Sequence, residues 1–159
     1  MKQDKLSKWL KFIIVGVGIC ALTVYAFVIP SIGKDFAYDY PEFAGYYLPW
    51  IIFISVTAVP VAAALCLCWK VADNIGHDRS FSLSNAAYLK WISWLAAADS
   101  AYFFIGNIVL TLLSMNHPGI LFISLMVIFV GVAISIASAA LSHLVLKAAD
   151  LQEQSDLTI

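Results

Sequence analysis

From Ser100 to Leu146 the chain runs 47 residues without one Asp, Glu, Lys or Arg, and the residue just before that run is Asp99. Nothing else in the sequence narrows the fold so much. A surface facing water cannot stay uncharged over such a length, whereas a hydrocarbon core about 30 Å thick asks for about 20 apolar residues per helical crossing. The run accommodates two crossings with a turn near His117-Pro118-Gly119. Asp99 then lies inside the first of them.

The same criterion finds two earlier crossings, giving helices at about 9–29, 47–69 with a cytoplasmic extension to residue 75, 82–113 and 118–147. In lipid only helices and closed barrels satisfy every backbone group, and these runs lack the two-residue alternation of barrel strands. The expected fold is all-α: one transmembrane domain over residues 1–159, an integral membrane four-helix bundle, with residues 150–159 as a flexible tail. The charged fraction of 12%, half the about 25% of ordinary globular domains, agrees. The first apolar stretch is longer than the roughly 7–15 residues of a signal-peptide core, so it reads as a retained span.

Orientation follows from the basic residues. Lys2, Lys5, Lys8 and Lys11 precede the first span, Lys70, Arg79 and Lys90 separate the second from the third, and Lys147 follows the fourth. Eight of nine therefore share one side, and only Lys34 opposes them. The positive-inside rule puts both termini in the cytoplasm and predicts a multi-pass protein of a bacterial cytoplasmic (inner) membrane. The opposite connection, Pro30 to Pro49, carries Asp35, Asp39 and Glu42 and reads as a solvated loop. A net charge of −1 offers no surface for direct nucleic-acid binding.

Between the second and third spans the chain reads Gly76-His77-Asp78-Arg79-Ser80-Phe81-Ser82-Leu83-Ser84-Asn85. Gly76 is a natural helix stop. Ser82 is a candidate N-cap, with Phe81 as staple and Asn85 three positions on, a relaxed capping box. This segment, followed by Leu89 and Ile92, resembles the polar–Phe–Ser–x–x–Asn signature of the bacterial domain-of-unknown-function 2975 family, the YoaS-like four-helix membrane proteins. Length, span number and terminus placement resemble that family over nearly the whole chain. The resemblance implies a four-helix inner-membrane protein with no assigned activity and no catalytic residues to carry over. It also implies, as a partner, a small cytoplasmic helix-turn-helix regulator of the kind encoded beside family members.

Asp99 lies eight residues past Trp91, about 12 Å along a helix. An aspartate at such depth costs about 2.5–3.5 kcal/mol, which turns it toward the protein interior. Asn107 follows eight residues later on nearly the same face, flanked by Ser100 and Gly106. Three readings stay open for this polar stripe: hydrogen-bonding glue between helices, a proton or cation relay, or a regulatory or ligand site. On the fourth helix Gly131, Ser135 and Ala139 recur every four residues with Ser138 and Ser142 alongside, a small-residue face that lets helices approach closely. Its partner, another helix or another copy, is left open, and its serines could reach Asp99. His143 is the candidate titratable partner.

Cys66 and Cys68 point their thiols about 200° apart on a helix, unsuited to one metal or disulfide, and Cys20, His77, His117 and His143 are dispersed. No metal or cofactor is expected, and Pro60 should kink the second span. No nucleophile–base pair appears on one side, so the expected function is a non-enzymatic small inner-membrane protein, a membrane component of a regulatory system. The alternative is a small transporter or ion-conducting homo-oligomer using Asp99 and Asn107.

Overall fold

The computed structural model describes residues 3–156. They form four long apolar helical spans, Gln3–Asp39, Pro41–Gly76, Leu83–Leu112 and Pro118–Ser155, and no strand occurs among the described residues. The fold is all-α. Each span packs on its neighbour in sequence, while the first and fourth scarcely touch. The bundle is therefore closed on three sides and open on the fourth. Exposed side chains such as Phe12, Phe122, Met126 and Phe129 clothe its outside in the apolar surface a bilayer requires. Ser80 donates to Gln3 at 2.9 Å, which sets the 77–82 turn beside the N-terminus; this end is the terminal face, the other the hairpin face.

The first span extends well past the expected 9–29. Helix runs through Pro30 to Asp39, only Tyr40 leaves the helical region (φ −126°, ψ 81°), and a 3₁₀ turn at Pro41–Tyr46 leads directly into the second span. Most of the connection read as a loop between Pro30 and Pro49 is thus helical. Its apolar face explains this, because Phe36 packs on Tyr40 at 4.7 Å and on Phe43 at 6.0 Å between ring centroids. The fourth helix likewise runs on to Asp156, so residues 150–156 are helical rather than an irregular tail. Ala148, Leu151, Gln152, Glu153 and Gln154 are good helix formers with no Gly or Pro among them. The rest of that tail, residues 157–159, lies outside the described residues.

The third and fourth helices make the tightest pair. Ala86, Ser93, Ser100 and Asn107 recur every seven residues along one edge of the third helix, the repeat that holds a left-handed antiparallel seam in register. Across it the Ser142 hydroxyl donates to the Ala86 carbonyl at 2.6 Å and the Ser135 hydroxyl to that of Ser93 at 2.9 Å. Gly131 lies against Ser100 so closely that a Cβ there would collide with its hydroxyl. Small side chains bring two backbones together and replace absent hydrophobic driving force with packing and hydrogen bonds.

Spans one and two meet closely near the terminal face and again at the hairpin face, where Gly33 lies against Tyr47. Ser7 donates to the Ala72 carbonyl at 2.6 Å, Gly76 faces Ser7, and Lys11 pairs with Asp73 at 2.6 Å. The hydrogen bond from Lys11 holds the Asp73 carboxyl below the usual carboxylate range.

Candidate functional site

Two prolines shape the middle of the molecule. Pro30 lacks an N–H and its ring crowds the carbonyl four residues back, and the helix answers by widening to a π turn over Val24–Val28, where the Ile29 N–H reaches the Val24 carbonyl. Pro60 does the same to the second span, which breaks at Thr57 between helices Tyr47–Val56 and Ala58–Gly76. The two defects meet. The Tyr25 hydroxyl, in the π turn, lies 2.6 Å from the Thr57 hydroxyl, and Thr57 donates onward to the Ile54 carbonyl at 2.7 Å. The two hydroxyls thereby find partners at a depth where water is scarce.

Below and beside this pair the spans diverge around a cavity of about 890 Å³. Its walls come from all four spans and are overwhelmingly apolar, with Asp99, Ser100, Tyr25 and Thr57 among the few polar groups. Ser100 turns its hydroxyl back to the Ala96 carbonyl at 2.7 Å. Asp99 is half-buried, and no hydrogen bond or ion pair joins it to any described residue. At the hairpin face the cavity ends in an aromatic cluster, where His117 sits 5.7 Å from Phe36, 5.0 Å from Tyr40 and 6.3 Å from Phe43. Between that cluster and the terminal face the open fourth side of the bundle gives onto lipid.

The stripe of Asp99 and Asn107 does not act as one site. Asn107, only 2% exposed, points into the third–fourth seam, where its amide donates to the Phe103 carbonyl at 2.8 Å and its oxygen accepts from Asn116 at 3.1 Å. It ties down the turn at Ser114, whose φ of 56° is left-handed. Eight residues, rather than seven, separate Asp99 from Asn107, and that one-residue offset turns Asp99 out of the seam and into the cavity. Nor do the fourth-helix serines reach Asp99: Ser135 and Ser142 bond the third-helix backbone, and Ser138 is buried. The Gly131–Ser135 face packs within the chain on the third helix, while Ala139 is exposed. His143 is exposed too, and lies roughly 18 Å beyond Gly131 along the helix, away from the cavity.

The turn motif is a lock. Ser82 caps the third helix by accepting from the Asn85 N–H at 3.3 Å. The Asn85 side chain, 1% exposed, donates to the carbonyls of Arg79 and Ser80 at 3.1 Å each and accepts from Asn74 at 2.8 Å. Reaching back to carbonyls rather than to the Ser82 N–H, it stitches three turns of chain together around Asp78, whose φ is 58°. Phe81 stays 58% exposed instead of stapling the helix.

The Tyr25–Thr57 pair escaped the sequence reading. Its signal was there: each residue stands three to five positions before a proline in a span, where a freed carbonyl needs a donor. Among the described residues no group of His, Cys, Asp and Glu is placed to hold a metal.

The profile of the family described as "Protein of unknown function (DUF2975)" matches residues 31–159. The "Uncharacterized membrane protein YoaS" of Bacillus subtilis (strain 168) is 31% identical over 155 residues, covering 95% of this chain and 96% of that relative. No solved structure matches.

Proposed function

The chain belongs to the DUF2975 family of proteins of unknown function, and from that premise we propose that it is a non-enzymatic multi-pass protein of the bacterial inner membrane that serves as the membrane-side component of a small regulatory system. The observation that supports this reading is the locked turn at the terminal face. Asn85 rigidifies a loop whose exposed Phe81 and Leu83 stand beside Ala149, Gln152 and Glu153 of the fourth helix. Exposed apolar side chains on a fixed frame suit docking of a soluble partner at little cost in ordering. The lysine distribution supports placing this face in the cytoplasm, where a helix-turn-helix regulator would meet it. The transport alternative would have to work through Asp99 alone, since Asn107 belongs to the hairpin seam.

The test is recruitment. A fluorescently tagged regulator encoded beside the protein should collect at the membrane when the full-length chain is present and return to the cytosol with Phe81→Ser combined with Leu83→Ser. A regulator that stays cytosolic with the wild type sinks the reading. Robust proton or cation flux in reconstituted vesicles, abolished by Asp99→Asn with melting unchanged, would establish the transport alternative instead.

A further inference from the structure

We propose that the cavity at Asp99 is a binding site for a lipophilic monocation, a molecule with a bulky apolar body and a single positive charge, that enters from the lipid through the gap between the first and fourth spans. The proposal is independent of whether a soluble partner docks at the terminal face. Size comes first: about 890 Å³ falls within the roughly 300–1,000 Å³ of pockets that enclose drug-sized molecules. The walls suit an apolar body, with Ile29, Phe36, Trp50, Leu95, Phe103 and Ile128 among them.

Charge then selects the ligand. Asp99 is the sole carboxylate on the cavity wall, and no Lys or Arg lines it; the wall's histidine, His117, stands at the hairpin end against Phe36 and Tyr40, with its Nδ1 taken by the Gly119 N–H. The neighbouring polar groups cannot compensate Asp99, because Tyr25 and Thr57 bond each other and Ile54, and Ser100 bonds Ala96. A carboxyl in a low-dielectric site stays ionised only with an opposite charge or donors beside it. A lipid acyl chain would fill the space but supply neither. A span from a second copy brings no Lys or Arg either, since neither residue lies in residues 12–33, 43–69 or 91–146. A membrane-soluble cation supplies it, and Trp50, Tyr47 and Phe103 can add attraction through their ring faces.

The experiment is equilibrium dialysis of radiolabelled tetraphenylphosphonium against the full chain in nonionic detergent, with empty micelles as background. The wild type should bind saturably, one cation per chain. Asp99→Asn should weaken binding by about tenfold or more, the effect of removing one member of a desolvated charge pair. Asp99→Glu should retain binding. Ala64→Trp, which fills the wall and leaves the carboxylate in place, should lose it. Melting in the same detergent reports whether each variant folds. On the wild type itself, excess neutral triphenylphosphine oxide should fail to displace the cation, which keeps the proposal testable if a variant misfolds. Absence of saturable binding to the wild type overturns the proposal. So does equal affinity in folded Asp99→Asn, undiminished binding in Ala64→Trp, loss of binding in folded Asp99→Glu, or displacement by the neutral compound.

Discussion

The two hairpins of this protein solve the same problem in opposite ways. Both must associate in lipid, where hydrophobic burial gives no driving force between helices. The third and fourth helices do so by close approach over their whole length, with Ser93, Ser100, Ser135, Ser142 and Gly131 letting backbone meet backbone. The first and second pack tightly at their two ends, near Ser7 and Gly76 and again at Gly33 and Tyr47, and between them part around two proline-made irregularities bridged by the Tyr25–Thr57 hydrogen bond. One hairpin is a continuous seam, and the other is interrupted where it helps to wall the cavity. Continuous small-residue packing yields rigidity; interrupted helices yield space.

The comparison breaks most readily at Gly131. Gly131→Leu forces a side chain into Ser100 and should destabilise by about 3 kcal/mol, as overpacking does, whereas Val132→Leu, at an exposed position, should change stability by no more than about 0.5 kcal/mol. Thermal melting in detergent separates them, and equal melting would mean that the seam is incidental. A smaller effect is expected on the other hairpin. Thr57→Val keeps the shape while removing the bonds to Tyr25 and Ile54, and intramembrane bonds of this kind average about 0.6 kcal/mol. A loss as large as that of Gly131→Leu would show that the cavity wall is no looser than the seam.

The smallest effect belongs to the ion pair at the terminal face. Because Lys11 lowers the Asp73 carboxyl below its ordinary range, the pair's contribution is complete above that range and fades as pH falls through the lowered value. Melting should therefore decline slightly more on acidification for the wild type than for Lys11→Met. Identical acid profiles would show that the first and second spans do not depend on this contact.

Much of the architecture was legible because hydrocarbon imposes so few solutions. Charge-free length alone located four helices, and Pro60 announced a break. Boundaries were less legible, since stopping the first span at Pro30 assumed that proline ends a helix, whereas a π turn absorbs it. Asp99 stood out by cost. Its separation from Asn107 was hidden in a difference between seven and eight residues, because eight looks like two turns until the partner helix fixes the phase at seven. The Ser82 cap was readable from local chemistry, but the three-turn lock made by Asn85 was not, since Asn74 and Arg79 join it only through the tertiary path of the loop.

The π turn at Val24–Val28 also changes how the first span carries phase. It holds one residue more than the turn of an ordinary helix, so every position after it is rotated by about 100° from where an uninterrupted helix would put it. Gly33 packs against Tyr47, and Phe36 faces His117, only because of that rotation. Read as a count of residues, the segment is an insertion already accommodated. Removing one residue within 24–28 would straighten the helix and swing the aromatic cluster off His117, opening the cavity at its hairpin end while leaving the terminal-face contacts of Ser7 and Lys11 in register.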